Sequence, residues 1–239
     1  MRANIVLPYR LPGVFNDPEG IVRSGLVAHY RFDQGRGQTL WDYSGFKNHG
    51  TLNGPTWTPQ GLSYDGVNNY VNVGNIGKEM RTLQIVFYNN NTVNAALAGQ
   101  GLCGFSSGAA DSITLGTWTG FLTDEILTIS SVSGSGRSGW CHATDSIAIG
   151  WHISDFVWDG SKYRIILDGS EKPITVSGTP GILTATAFLL GAQPGPALYF
   201  NGKQAYCLLY NRSLTDAEFI RNRQVIKAEL APRGVILAA

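Results

Sequence analysis

Hydrophobic positions along this chain recur with a period of two, in short runs. "LVAHYRFD" is the clearest: Leu26, Ala28, Tyr30 and Phe32 fall on one side, Val27, His29, Arg31 and Asp33 on the other. His29 is therefore expected on a polar strand face. Further runs are "LSYD", "YVNVG", "TLQIVFY", "ILTISSV", "SIAIGWHISDFVWDG", "KYRIILDG", "AFLLGA" and "YFNGKQAYCLLY". Turn pairs separate some of them: Asp65-Gly66, Asp159-Gly160 and Asp168-Gly169 each join two residues that tolerate positive φ.

One segment keeps a helical period. "LTDAEFIRNRQVIKAEL" offers Thr215 as N-cap and Glu218 three residues on, which makes a capping box. Leu214 and Phe219 are spaced for a hydrophobic staple, Ile226 and Leu230 share a face with Phe219, and Pro232 stops the helix. The two ends have no period. Residues 1–23 hold Pro8, Pro12 and Pro18 among isolated apolar residues and read as an extended arm; residues 231–239 read as a second. The domain between them, 24–230, is expected to be all-β: a two-sheet antiparallel jelly-roll sandwich with one short C-terminal helix.

Composition changes this picture little. At 239 residues the chain suits one large β-domain. A net charge of +1 gives no long-range attraction to nucleic acid, and no apolar run approaches the ~20 residues of a membrane span. The opening twenty residues lack the continuous apolar core of a signal peptide. Charged residues make up 15%, against a typical value of about 25%, so part of the surface is expected to be covered by other chains. Cys207 sits in an apolar run and reads as a buried thiol. Cys103 and Cys141 both border glycine-rich loops, and a bridge between them stays open.

Two stretches carry a resemblance. "GLVAHYRFDQGRGQTLWDYSGFKNHGTLNGPTW", followed by "GLSYDGVNNYVNVGN", resembles the opening of laminin-G-like domains of the concanavalin A-like lectin/glucanase superfamily. "YFNGKQAYCLLYNRSLTDAEF" is similar to their closing strand and helix, and "GWHISDFVWDGSKYRIILDG" to their central Trp-His strand and hairpin. The resemblance covers residues 25–228, is weak over 89–145, and implies the jelly-roll fold. It also implies a structural calcium at the corner of Asp42, shared with acids of the closing strand. Here Ala205 and Tyr206 stand where those acids are expected, so Asp42 is read as a hydrogen-bonded cap and no cofactor is expected. His152 matches the Trp-His element, where packing is the usual role.

No catalytic pattern stands out. Glycosidases of this superfamily carry Glu-x-Asp-x-x-Glu on one strand, and that spacing does not occur; Asp124 and Glu125 are adjacent and read as solvated acids. The chain is therefore expected not to be an enzyme. Trp118 and Trp140 lie beside polar loops, with His142 and Asp145 close by, and form a candidate glycan site in which the indole faces stack on sugar rings. Buried core or interface anchors are the plainer reading of both tryptophans.

The ends decide the functional expectation. Leu7, Leu11, Val14 and Phe15 in the first arm, and Val235, Ile236 and Leu237 in the second, would bury their apolar surface on neighbouring subunits. Together with a likeness to bacteriophage structural chains, this gives the first expectation: a non-catalytic virion component, with no nucleic-acid contacts and no membrane insertion, that forms a homo-oligomer and displays its jelly roll towards a cell-surface glycan. A stand-alone carbohydrate-binding lectin is the alternative. A glycoside hydrolase comes third.

Overall fold

The structure is a computed structural model, and it describes residues 20–90, 99–106, 111–118, 126–133, 139–143, 147–178, 184–193, 195 and 198–237. Strands dominate, as the period of two predicts. In chain order they are β1 (Leu26–Tyr30), β2 (Thr39–Leu40), β3 (Gly50–Asn53), β4 (Thr56–Thr58), β5 (Gly61–Asp65) and β6 (Tyr70–Gly74). β7 (Lys78–Glu79), β8 (Thr82–Asn89), β9 (Gly99–Ser106), β10 (Asp111–Trp118), β11 (Ile126–Ser133) and β12 (Gly139–Ala143) follow. The last are β13 (Gly150–Trp158), β14 (Tyr163–Leu167), β15 (Ser170–Glu171), β16 (Ile174–Gly178), β17 (Thr184–Ala185), β18 (Ala187–Leu190) and β19 (Asn201–Tyr210). Helix α1 (Asp216–Leu230) and a short 3-10 turn (Ala231–Arg233) close the chain.

Two large antiparallel sheets face each other. The first runs β15-β14-β13-β8-β19-β5-β4, with β1 also paired to β19; the second runs β16-β12-β11-β10-β9-β18-β6-β3-β2. β7 and β17 form a small ribbon of their own. Non-consecutive neighbours such as β8 and β19 require long crossovers, the mark of a jelly roll rather than a meander. The expected all-β sandwich is the fold.

The first sheet is buried on both faces, and this was not expected. Alternate residues of β19 divide between two cores: Cys207 and Leu209 face the second sheet with Ile85, Phe87 and Phe188, while Tyr206, Leu208 and Tyr210 face α1. The second core also takes in Ile21, Val22, Phe219, Ile226, Leu230, Val235 and Leu237. Each large side chain moved out of water here contributes about 1.5–3 kcal/mol, so α1 with Ile21, Val22, Val235 and Leu237 forms a third layer over the first sheet. The capping box is formed: Glu218 N donates to Thr215 Oγ1 at 3.3 Å and Thr215 N to the Glu218 carboxylate at 2.9 Å. The staple residues Leu214 and Phe219 are buried together in the second core.

A polar seam fixes how α1 lies. Asn222 Oδ1 accepts from Val22 N at 2.9 Å, and its amide donates to Tyr210 Oη at 2.9 Å and to Gln84 Oε1. Gln84 Nε2 in turn donates to Asp155 at 2.8 Å, and Arg223 pairs with the other carboxylate oxygen. Burial nevertheless pushes the Asp155 carboxyl up to about 6, against the pull of Arg223 and Gln84.

The ends depart from expectation at this point. Ile21 and Val22 are buried, so the arm boundary at residue 23 cuts through a packed segment. Val235 and Leu237 are buried on the chain's own helix layer, and Ile236 alone of that trio is exposed. Arg233 locks the turn before them: its guanidinium donates to the carbonyls of Arg31 and Phe32, each at 2.8 Å, and to that of Gln60. The apolar tail thus covers the chain's own sheet rather than standing ready for a neighbour. Leu7, Leu11, Val14 and Phe15 lie outside the described residues.

Cys103 and Cys207 are both buried and free, which leaves no bridge on Cys103. Desolvation drives both thiols well above their ordinary range, where they are inert.

Candidate functional site

Asp42 sits between β2 and β3 and forms a single bridge to Tyr30 of β1. Its carboxylate gathers the corner. Oδ1 accepts from His29 N at 2.9 Å and Ser44 N at 2.8 Å; Oδ2 accepts from Ser44 Oγ at 2.7 Å and Asn48 N at 2.9 Å. Tyr30 Oη donates to the carbonyl of Asn48 at 2.6 Å, and the Asn48 amide donates to the carbonyl of Val27 at 3.0 Å. His49 Nδ1 accepts from Asp42 N at 3.0 Å, and its ring meets Trp41 edge-on. Aspartate and asparagine occur here because short polar side chains satisfy loop amides that have no sheet partner.

A calcium ion does not fit this corner. It would need oxygens with lone pairs free to face it, and four N–H and O–H donors already occupy Asp42. At the closing strand Ala205 and Tyr206 are buried in the helix-side core, and Tyr206 Oη meets His29 Nε2 at 2.7 Å. Burial, helped by the charges of Arg31 and Arg23, pushes His29 down to about 3, so it is neutral. His29 is therefore not on a polar face: the helix layer covers the side of β1 that alternation assigns to water. Among the described residues no group of three or more His, Cys, Asp or Glu is placed to hold a metal, and no helix is long and apolar enough to cross a membrane.

His152 packs against Phe87, ring centroids 5.7 Å apart, and also makes an ion pair that sequence reasoning missed. Nδ1 lies 2.7 Å from Asp168 Oδ2, and Nε2 lies 2.9 Å from the carbonyl of Ala148. Both partners only accept, so both ring nitrogens must carry protons. Burial opposes that charge, but the Asp168 carboxylate and the Ala148 carbonyl outweigh it and raise the imidazole above its ordinary value. The Asp168-Gly169 turn was visible in sequence; its second role as counter-ion was not.

Strand register locates most of the expected glycan site. Trp118 pairs with Ile126, His142 with Thr128 and Trp140 with Ser130. Ile126, Thr128 and Ser130 alternate along β11, so all six positions share one face of the second sheet. Thr175 and Ser177, paired with His142 and Trp140, join it. The opposite face is fixed by buried Phe105 and Cys103, which pair with Ile113 and Leu115; Leu115 pairs with Ile129, and Ile129 with Cys141. By alternation, the positions of Trp118, Trp140 and His142 thus fall opposite those aligned with Cys103 and Phe105. They belong to strands, not to the loops beside them. Asp145, Asp124 and Glu125 lie outside the described residues.

No family model matches the chain, and no curated protein matches it. Solved structures do. Trypanosoma rangeli sialidase in complex with sialic acid is matched with a TM-score of 0.59 at 14% identity, over 84% of this chain and 33% of the sialidase. A second structure of that sialidase, with a difluoro-KDN ligand, gives a TM-score of 0.61 at 13% identity, over 93% and 37%. Domain 4 of AbnA, a GH43 extracellular arabinanase from Geobacillus stearothermophilus in complex with arabinotriose, gives 0.62 at 18% identity, over 82% of this chain and 96% of that domain. The chain spans about a third of the length of the sialidases it matches. At these identities the likenesses show the fold, an all-β sandwich, and nothing finer.

They also correct one expectation. The chain was expected not to be an enzyme, yet the structures it resembles belong to enzymes, sialidases and an arabinanase. That expectation is withdrawn.

Proposed function

We propose that the chain is a carbohydrate-binding β-sandwich whose binding surface is the outer face of the second sheet. The observation that carries this is the register of β10, β11, β12 and β16, which gathers Trp118, Trp140 and His142 on one face among Thr128, Ser130, Thr175 and Ser177. Indole faces stack on the apolar side of a sugar ring, and serine and threonine hydroxyls can exchange hydrogen bonds with its hydroxyls. Trp118 and Trp140 lie two strands apart and four residues apart in register, roughly 16 Å between backbones. That span exceeds one sugar ring and favours an oligosaccharide. The arabinanase domain, which is in complex with arabinotriose, supports the reading as a precedent on the same fold.

The alternative of a carbohydrate-binding domain therefore replaces the virion component as the preferred reading. Nothing in the fold or the comparisons supports a phage setting, and the tail that suggested one is packed on its own domain. A glycan array tests the proposal, with neutral oligosaccharides, arabinan fragments among them, as its probes. Binding should appear in the unaltered chain and disappear in Trp118→Ala and Trp140→Ala, with circular dichroism unchanged. Binding that survives both substitutions would remove the site from this face.

A further inference from the structure

A cleft of about 480 Å³ opens beside the acidic corner, lined in part by Leu26 and Val27 of β1, and neither Trp118 nor Trp140 is among the described residues of its lining. Such a volume suits a small ligand. Its lining includes Arg23, Phe46, Asn48, Ile76, Lys78 and Asn211. We infer that this cleft is a second binding site, for a sugar ring bearing a carboxylate. The inference does not depend on the sheet-face reading above.

Phe46 supplies the first argument. It is 63% exposed, at the tip of a loop whose neighbours Gly45 and Lys47 have φ of +99° and +61°. A left-handed lysine costs about 1 kcal/mol or more, which the corner must offset. It does so through Ser44, whose Oγ donates to Asp42 and accepts from Phe46 N at 3.2 Å. The corner thus holds an aromatic ring out in water beside a cleft. Asp42 is a positioning residue for it.

Charge supplies the second. Lys78 brings a positive charge to the lining, and among the described residues that line the cleft none is acidic. The adjacent Glu79 is engaged by Arg81, at 2.9 and 3.1 Å. The Asn48 amide nitrogen is held by Val27, so Oδ1 is its atom left to accept from a ligand hydroxyl. Buried Ile76 gives the lining an apolar patch. An aromatic ring, an apolar patch, amide groups and the Lys78 ammonium together match a hexuronic acid better than a bare anion, which has no face to stack. One lysine is too little to track a phosphate backbone, which needs a longer basic run.

The full chain should be titrated, by NMR or calorimetry, with a glucuronate-terminated trisaccharide and its glucose-terminated analogue. The acidic sugar is expected to bind at least about tenfold more tightly, tenfold corresponding to 1.4 kcal/mol, and to weaken as salt is raised. Phe46→Ala, an exposed position that should fold normally, is expected to lower its affinity about tenfold. Lys78→Ala should erase the preference over the neutral analogue. Trp140→Ala should leave uronate binding intact, so the two sites can fail separately: array binding lost with uronate binding kept supports both. Equal affinity for the two trisaccharides, indifference to Phe46→Ala, or loss of uronate binding in Trp140→Ala would overturn the inference. So would a single-stranded oligonucleotide that binds through Phe46 in place of the uronate.

Discussion

Removing the Asp42 carboxylate should cost this protein a large part of its stability. Four donors converge on it, at 2.7 to 2.9 Å, three from backbone N–H groups and one from a hydroxyl. In Asp42→Ala the hydroxyl of Ser44 can turn to water, but the amides of His29, Ser44 and Asn48 lose their acceptor. His29 is fully buried, so its amide has no water to turn to. At about 1–3 kcal/mol for a buried donor left unsatisfied, and about half that where water reaches, the sum is about 2–6 kcal/mol. That is a large fraction of the 5–15 kcal/mol that holds a typical domain together. Asp42→Asn keeps one acceptor oxygen for His29 and Ser44 and should cost roughly half as much. Urea unfolding followed by tryptophan fluorescence measures both, with the slope checked for constancy. The unaltered protein should melt at the same temperature with calcium or with a chelator. A loss below about 1 kcal/mol in Asp42→Ala would refute the cap. A calcium-dependent rise in the melting point would show that the carboxylate serves a metal instead.

Four further outcomes follow from the packing and the charges. His152 is charged in the folded state at a pH where it would be neutral unfolded, so its stabilisation is complete below about pH 6.5 and is lost as pH rises through the higher folded value; His152→Gln should flatten stability against pH over that window, and an unchanged slope would remove the ion pair. Asp155 has the same sign of linkage in a lower window, since burial holds its folded value near 6 and stability should fall between about pH 4 and 6 as it ionises, a slope that Asp155→Asn should abolish. Truncation after Leu230 exposes the sites of Val235 and Leu237 and frees the carbonyls bound by Arg233, for a loss of about 3–6 kcal/mol from the two side chains alone; thermal unfolding at an unchanged midpoint would return the tail to the role of a free arm. Gly61→Ala should prevent folding, because a Cβ there would lie 2.0 Å from the carbonyl oxygen of Gln204 at a φ of +151°, and a soluble, cooperative variant would show that β4 and β5 can shift.

The sandwich was legible because it is written in local terms. Period-two runs, Asp-Gly turns and the capping box at Thr215 each concern residues a few positions apart, and all three survive in the structure. The layer outside the first sheet was not legible, for a physical reason. Alternation reveals which residues of β1 or β19 share a face, but a polar residue such as His29 reads as solvent-facing unless its distant partner Tyr206 is known. The two residues are 177 positions apart. The aromatic pair was singled out by its place beside polar segments, yet its common face depends on the register of β10 to β12, which segments 119–125 and 134–138 mark with no tight-turn pair of the Asp-Gly kind.

The same logic decides what the apolar ends mean. Val235 and Leu237 carry no strand or helix period, so sequence says only that they need apolar cover, not whose. The first sheet has the complementary need: Tyr206, Leu208 and Tyr210 present apolar rings and methyls on the side away from the second sheet. α1 covers part of that face, and residues 21–22 and 235–237 reach more of it. Satisfying both needs within one chain avoids the translational entropy that docking on a neighbour would cost. An apolar tail is therefore weak support for assembly wherever its own domain has a sheet face left to cover, and the search for what this protein binds moves to the second sheet and to the cleft beside Phe46.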